Sequence, residues 1–326
     1  MTADRVPGAT PWASSVPPPP LARATLDRAA HLRRDAGRLA QEWQRASVLV
    51  VDVAGGGRAL VRDGAAGGTE LVLLGPESAP DGERMFLGVE PDGTPVFTLD
   101  AALPERAGAR AVTLRDVGHL LDDRDAGLFT AAAALLNWHT AHLYSPLTGR
   151  PTTVADAGWA RADSDGKLMW PRTDPAMIVL VHDGVAGPGG RCLLGRNAAW
   201  GTPGGVHRFS CLAGYVEPGE SAEAAVVREV AEEVGVGVRA LRYEASQSWP
   251  YPGSLMLGFT AEADPAQPVL VDPEEIVEAR WFGRDEITAM TEGDYTDPET
   301  GVPFSLPMRA SIAFYLIERW VAGLRP

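Results

Sequence analysis

The sequence predicts a two-domain protein of mixed α and β structure, with a smaller, mainly β first domain and a second domain that alternates strands with helices. A chain of 326 residues with 45% hydrophobic residues is long enough to bury two cores. Short apolar runs from Ser47 to Asp100, separated by Gly, Asp and Pro clusters, indicate a small, mainly antiparallel sheet. Beyond residue 172, strand-like runs flank one strong helical pattern from Ser221 to Val234.

Composition also sets the expected domain limits. Residues 1–24, which end just after a run of four prolines, are predicted to be a disordered or extended leader. Residues 25–142 form the first domain, which a helix over AGLFTAAAALLNWHTAH closes. A connector rich in Gly, Asp and Pro occupies residues 143–172, and the second domain, residues 173–326, ends in the amphipathic stretch PMRASIAFYLIERWVAG.

Charge and cysteine content exclude several classes of protein. The net charge of −14 argues against a sequence-reading nucleic-acid binder, which needs Lys and Arg to neutralise phosphates. Two cysteines, Cys192 and Cys211, provide neither a disulfide framework nor two CxxC pairs for a metal. No stretch approaches the ~18 apolar residues of a membrane span, and the N-terminus lacks the apolar core of a signal peptide. We therefore expect a cytoplasmic protein with no membrane partner.

The stretch REVAEEVG, residues 228–235, crowds three carboxylates, Glu229, Glu232 and Glu233, into one helical turn. Like charges at this spacing repel by about 0.2–0.5 kcal/mol per pair. Either water solvates the face, as in many acidic helices, or a cation neutralises it. Hard oxygen ligands at positions i, i+3 and i+4 suit Mg²⁺ or Mn²⁺, which bridge protein carboxylates to substrate phosphates.

The residues before this turn favour the cation. The stretch GYVEPGESAEAAVVREVAEEVGV resembles the Nudix box, G-x5-E-x7-R-E-U-x-E-E-x-G-U with U aliphatic, and meets every fixed position. Seven specified Gly, Glu and Arg positions would match by chance about once in 10⁸ starting points. The resemblance implies a Nudix fold, an α/β/α sandwich around a mixed sheet, and hydrolysis of a diphosphate.

Arg228 has two interpretations. It either binds a substrate phosphate or orients Glu220 and the approach loop. We favour the second, because Arg228 precedes a ligand in sequence but points roughly 100° away from it on the helix.

The stretch SQSWPYPGS, residues 246–254, bears on the substrate. It resembles the signature SQPWPFPxS of the NADH pyrophosphatases, the NudC-like branch of the Nudix superfamily, and departs from it at Ser248 and Tyr251. The alternative is a proline-rich turn with a core tryptophan. The resemblance covers most of residues 130–326, where the motifs LLNWHTAH, WPRTDPAMIVLV, VDPEEIVEARWF and SIAFYLIERW follow in the family's order.

The resemblance implies roles for individual residues. The metal ligands would be Glu229 and Glu233, helped by Glu232, with Glu275 arriving from a distant loop; Glu220 and Arg228 complete the catalytic set. Tyr215 would stack on the nicotinamide ring, and Trp249 would come from the partner subunit of a homodimer. The remaining expected substrate contacts are Gln247 and Ser254 of the same signature, Trp170, and the backbone of Ala313.

One departure from the family is large. Where the family carries a four-cysteine zinc ribbon that begins FCxxCG, this chain has YSPLTG, with Ser145 and Thr148 at the cysteine positions, and it lacks the second cysteine pair. Hydroxyls do not replace thiolates at a structural zinc. We therefore expect no structural zinc. His139 and His142 are expected to be packed or surface residues, and side-chain contacts are expected to hold the connector. The expected anchors are Trp159, Leu168, Met169 and Trp170.

The leading interpretation is divalent-metal-dependent hydrolysis of the NADH pyrophosphate to reduced NMN and AMP, and the resemblance also allows NAD⁺ and the NAD cap of RNA 5′ ends. A second is a broader Nudix hydrolase of ADP-ribose or diadenosine polyphosphates. A third is a non-catalytic dinucleotide sensor, against which the intact glutamates argue.

Overall fold

The computed structural model describes residues 17–64, 67–293 and 295–323. The chain forms two compact units, Met1–Thr173 with Ser248–Gly253, and Asp174–Gln247 with Ser254–Pro326.

The predicted leader is only partly within the described residues, since residues 1–16 lie outside them. Within residues 17–24, Leu21 is 2% exposed and belongs to the core of the first unit, so this part of the predicted leader is packed. Two glycines make room for this segment. A Cβ at Gly127 would lie 2.5 Å from the Arg23 carbonyl oxygen, and one at Gly118 would lie 2.5 Å from Leu21 Cδ2.

The first unit contains a six-stranded sheet of order β3-β2-β1-β5-β4, with β6 paired to β2. Its helices and strands are α1 (Ala36–Trp43), β1 (Ser47–Asp52), β2 (Arg58–Asp63), β3 (Thr69–Leu71), β4 (Met85–Val89), β5 (Pro95–Asp100), β6 (Ala109–Thr113), α2 (Leu114–Val117), α3 (Asp123–Ala141), β7 (Thr152–Ala155), β8 (Ala160–Asp163) and β9 (Leu168–Met169). The β1–β5 pair is parallel and the other pairs of the six-stranded sheet are antiparallel, which confirms a mainly antiparallel sheet.

Strand β1 divides two cores by simple alternation. Leu49 and Val51 pack into the cluster that contains α3, whereas Val48 and Val50 pack into the cluster that contains Trp43. Successive side chains of a strand point to opposite faces, so both faces of β1 are covered.

The connector folds as a three-stranded sheet, β7-β8-β9. Buried Arg161 holds it together, donating from Nε to Thr152 Oγ1 at 2.6 Å and from Nη2 to the Thr152 carbonyl at 2.8 Å. Arg161 Nη1 lies 2.9 Å from His139 Nδ1, and His139 Nε2 lies 2.7 Å from the Gly158 carbonyl oxygen. His139 is therefore a packed residue, as expected.

The two expected aromatic anchors of the connector differ in their burial. Trp159 packs against the first core, donates from Nε1 to the Phe86 carbonyl at 2.7 Å, and lies under the Arg33 guanidinium. Trp170 is 60% exposed, so its prediction as an anchor is wrong. It follows the two-residue strand β9 in a largely exposed segment.

The turn that carries Ser145 closes on its own backbone. The Ser145 N–H donates to the Arg150 carbonyl, and the Gly149 N–H donates to the Ser145 carbonyl, both at 2.8 Å. The second unit builds the same turn from DPETGVP, where the Asp297 N–H donates to Val302 at 2.9 Å and Gly301 to Asp297 at 2.8 Å. Both turns read Pro-x-Thr-Gly-x-Pro after the first residue. The two turns therefore close with the same pattern of backbone hydrogen bonds.

The second unit has a mixed sheet of order β14-β15-β10-β11-β16, with β13 paired to β10. Its helices and strands are β10 (Asp174–His182), β11 (Arg191–Asn197), β12 (His207–Arg208), β13 (Leu212–Tyr215), α4 (Ala222–Val234), β14 (Arg239–Trp249), β15 (Ser254–Glu262), β16 (Ile276–Gly283), α5 (Arg284–Glu292), β17 (Phe304–Ser305) and α6 (Ile312–Val321). The β10–β15 pair is parallel, and β10 is antiparallel to β11 and β13.

Helices cover both faces of this sheet. Met177 and Val179 of β10 pack with Val230 of α4, whereas Ile178 and Leu180 pack with the residues of α5 and α6. The α/β/α sandwich implied by the family resemblance is confirmed. Among the described residues, no helix combines the length and apolar character needed to span a bilayer.

Candidate metal centre and active site

Helix α4 carries the acidic turn in a defined register. The Ser221 hydroxyl caps its start by accepting the Ala224 N–H at 3.1 Å, and Gly235 ends it with a left-handed φ of 69°. Val226 and Val230 are fully buried against the sheet. Their burial fixes which glutamates of the helix face inward.

Three carboxylates meet at the inner side of α4. Oxygen atoms of Glu229, Glu233 and Glu275 all lie within 4.8 Å of one another. Two backbone bonds hold the distant segment of Glu275, since the Asp272 N–H donates to the Glu233 carbonyl at 3.1 Å and the Ala198 N–H donates to the Glu275 carbonyl at 2.7 Å. The structure therefore brings together three of the four predicted metal ligands.

The charges in this group are poorly compensated by the protein itself. Burial, reinforced by the charges of Glu229 and Glu275, raises the pKa of Glu233 to about 8, although the Ala213 N–H opposes the rise. Burial also raises the pKa of Glu229, against the effect of Arg228. Glu233 Oε2 is buried without a hydrogen-bond partner among the described residues. A hard divalent cation fits this set of oxygens, because it would satisfy the unpaired atom and the excess negative charge.

Arg228 organises the surroundings of the group. Its Nε and Nη2 donate to the two carboxylate oxygens of Glu220 at 2.9 Å, and Nη2 also donates to the Tyr215 carbonyl at 3.0 Å. Its Nη1 lies 2.9 Å from Glu229 Oε1. Hydrogen bonds from Arg228 and the Glu217 N–H lower the pKa of Glu220. These contacts support the interpretation of Arg228 as an orienting residue.

The structure does not bring Glu232 into the carboxylate group. Its side chain is 60% exposed and pairs with Arg228 Nη1 at 2.9 Å. Residues 228 and 232 are neighbours on one row of the helix, and this row faces solvent at Glu232. The contact of Glu232 in this structure is with the orienting arginine, and its role as a metal ligand stays a prediction.

Tyr215 and Ser254, both predicted substrate contacts, lie side by side. Tyr215 is 57% exposed, and its hydroxyl lies 3.3 Å from Ser254 Oγ. Gln247 is 1% exposed and donates from Nε2 to the Ala310 carbonyl at 3.1 Å, so it supports the chain just before α6. Ala313 lies in the first turn of α6, where backbone N–H groups lack intrahelical acceptors.

The other two predicted substrate contacts, Trp249 and Trp170, belong to the first unit. Trp249 is partly buried against the core that contains α3, and its ring meets Tyr251 edge-on with centroids 5.1 Å apart. Trp170 offers an exposed ring.

Comparisons with known proteins agree with this geometry. The family model "NUDIX domain" matches residues 172–300, and the model "NADH pyrophosphatase-like rudimentary NUDIX domain" matches residues 43–138. The chain is 42% identical over 314 residues to "NAD-capped RNA hydrolase NudC" of Mycobacterium tuberculosis strain H37Rv, an alignment that covers 93% of this chain and 95% of that protein. The chain belongs to the NudC-like family of Nudix hydrolases.

Two other relatives align over a smaller part of this chain. This NudC-like chain is 42% identical over 216 residues to human "NAD(P)H pyrophosphatase NUDT13, mitochondrial", which covers 64% of this chain and 59% of that protein. The mouse protein of the same name is 34% identical over 272 residues, covering 77% and 75%.

Two features of this Nudix hydrolase were missed from the sequence. Gly214 was recognised only as a box position, whereas a Cβ there would lie 2.0 Å from the Glu229 carboxylate, so the glycine makes room for that ligand. The Ala213 N–H acts on Glu233 from β13. The first glycine of the box was the available signal for both, because it marks a close approach between β13 and α4.

Proposed function

We propose that this chain hydrolyses the pyrophosphate bond of NADH and NAD⁺, giving NMN(H) and AMP, with Mg²⁺ or Mn²⁺ as the required ion. The observation that carries the proposal is the meeting of buried Glu229 and Glu233 on the Nudix helix with the exposed Glu275 from a distant segment, in a NudC-like chain. The printed names of the relatives, an NAD-capped RNA hydrolase and an NAD(P)H pyrophosphatase, support NAD(H) as the dinucleotide and extend the proposal to NAD-capped RNA 5′ ends.

Glu229, Glu233 and Glu275 would hold the ion. A divalent ion bound there supplies neutralisation of the substrate phosphates and a water of lowered pKa. Arg228 supports the ionised form of Glu229 and, through Glu220 and the Tyr215 carbonyl, ties the approach loop to α4. Positioning of this kind is the main contribution a protein makes to phosphoryl transfer.

Substrate recognition is assigned mainly to aromatic side chains. The exposed ring of Tyr215, braced by Ser254, would stack on the nicotinamide, and Gln247 would hold the backbone ahead of Ala313 in place for a polar contact. Trp249 would supply a second stacking surface, contributed by the partner subunit of a homodimer, and the exposed Trp170 would be a further substrate contact. The cytoplasmic location, the absence of structural zinc and the predicted domain limits stay predictions.

Product analysis tests the proposal. The protein is incubated with NADH, NAD⁺ or ADP-ribose in Mg²⁺, Mn²⁺ or EDTA, and the products are separated and identified by mass. We expect NMN(H) and AMP in either metal and none in EDTA, and no products from folded Glu233→Gln. Turnover of ADP-ribose alone would indicate the broader hydrolase, and binding of NADH without turnover would indicate the sensor. Equal turnover in EDTA would exclude the metal mechanism.

A further inference from the structure

Residues 248–253, the aromatic loop of the NudC-like signature, pack on the first domain. Asn137 of α3 donates from Nδ2 to the Pro250 carbonyl at 2.7 Å. The Arg115 guanidinium lies over the Tyr251 ring, 3.8 Å from its centroid, and 5.6 Å from the centroid of Trp249. The loop is therefore held from two helices that are distant from it in sequence.

The position of Arg115 is itself fixed. It lies in the short helix α2, whose start is closed by a capping box between Thr113 and Asp116, with Thr113 Oγ1 donating to Asp116 Oδ2 at 2.7 Å. Burial raises the pKa of Tyr251 to about 12, although the Arg115 charge opposes the rise. The phenol is thus neutral at ordinary pH, and its ring is available for a cation–π contact.

We propose that Arg115 and Asn137 are positioning residues, which hold the aromatic loop so that Trp249 presents its ring to the nicotinamide of the substrate. The rudimentary Nudix domain would then set the dinucleotide preference of the enzyme. This inference rests on the proposed function. The physical reason is that a loop ordered before binding loses less conformational entropy when the substrate stacks on it.

Tyr251 is also where the loop departs from the phenylalanine of the family signature. The departure adds a hydroxyl beside Arg115 and keeps the aromatic face that the guanidinium covers. Arg115 and Tyr251 therefore form a pair within this chain, and removal of either partner should loosen the same loop.

The kinetic test compares Arg115→Ala and Arg115→Lys with wild type, with Arg110→Ala as the matched control on an exposed position of the neighbouring strand β6. For Arg115→Ala we expect the KM for NADH to rise about fivefold, equivalent to about 1 kcal/mol, with kcat within about twofold. The KM for ADP-ribose, which lacks nicotinamide, should stay unchanged. Arg115→Lys should restore most of the loss, because an ammonium also binds an aromatic face.

A second readout needs no substrate. Amide hydrogen exchange of residues 248–253 is measured in wild type, Arg115→Ala, Asn137→Ala and Arg110→Ala. We expect faster exchange than in wild type in Arg115→Ala and Asn137→Ala, and the wild-type rate in the control Arg110→Ala. If exchange is unchanged in both variants, Arg115 and Asn137 do not hold the aromatic loop, and this conclusion does not depend on the activity of the variants. Faster exchange with equal KM changes for NADH and ADP-ribose overturns the specificity role. Wild type that leaves NADH intact overturns the proposed function separately, since the exchange result is independent of turnover.

Discussion

Replacing Glu233 by Gln should abolish activity and at the same time stabilise the metal-free protein. The change keeps the side-chain size and removes a carboxylate that is 3% exposed and has an unpartnered oxygen among the described residues. The raised pKa means that the folded protein holds a proton on Glu233 that the unfolded chain releases. The penalty is absent below about pH 4.5, grows as pH rises, and is complete above about pH 8.

The magnitude follows from the pKa. The difference between about 8 and the ordinary 4.5 amounts to about 5 kcal/mol as an upper limit, because a tenfold change in acidity corresponds to 1.36 kcal/mol. Relaxation and water entry reduce this figure, and the Gln amide brings donors of its own, so we expect about 2–3 kcal/mol at pH 8. A gain of this size raises the melting temperature by about 5–10 °C.

The assay is urea or thermal unfolding at pH 8, with and without Mg²⁺. In EDTA, Glu233→Gln should be the more stable protein, whereas Mg²⁺ should stabilise wild type and leave the variant unchanged. Glu232→Gln is the matched control on the same helix, because that side chain is 60% exposed. A Glu233→Gln protein that is no more stable than wild type in EDTA would refute the reasoning about the buried charge.

Four further results are expected. Trp249→Ala should raise the KM for NADH far more than for ADP-ribose, and equal losses would show a purely structural loop. Metal analysis of protein purified without zinc should find no stoichiometric zinc; one tightly held zinc per chain would contradict this. Burial lowers the pKa of His139 to about 4, so unfolding experiments should show a loss of stability as pH falls from about 6.5 to 4 that is smaller in His139→Gln. Gly214→Ala should lower kcat at least tenfold with folding retained, since its Cβ would lie 2.0 Å from the Glu229 carboxylate; an unchanged kcat would show that the ligand moves freely.

Local features of the site were readable from the sequence because helix geometry acts over a few residues. The spacing of Glu229 and Glu233 places both on one face of α4, the Ser221 cap starts the helix, and Gly235 ends it. The continuous apolar run AMIVLV of β10 is likewise typical of a strand that is buried on both faces, as it is here. The box pattern itself carried the family and the chemistry.

Tertiary packing decided the rest, since it depends on segments that are distant in sequence. The packing of α4 on the sheet leaves Glu232 on the solvent side, where it contacts Arg228. The fold of residues 272–276 places Glu275 in the carboxylate group. Trp170 is exposed after its short strand, and the aromatic loop gained the support of Arg115 and Asn137. Sequence periodicity reports which residues share a face, but only the assembled structure shows what that face meets.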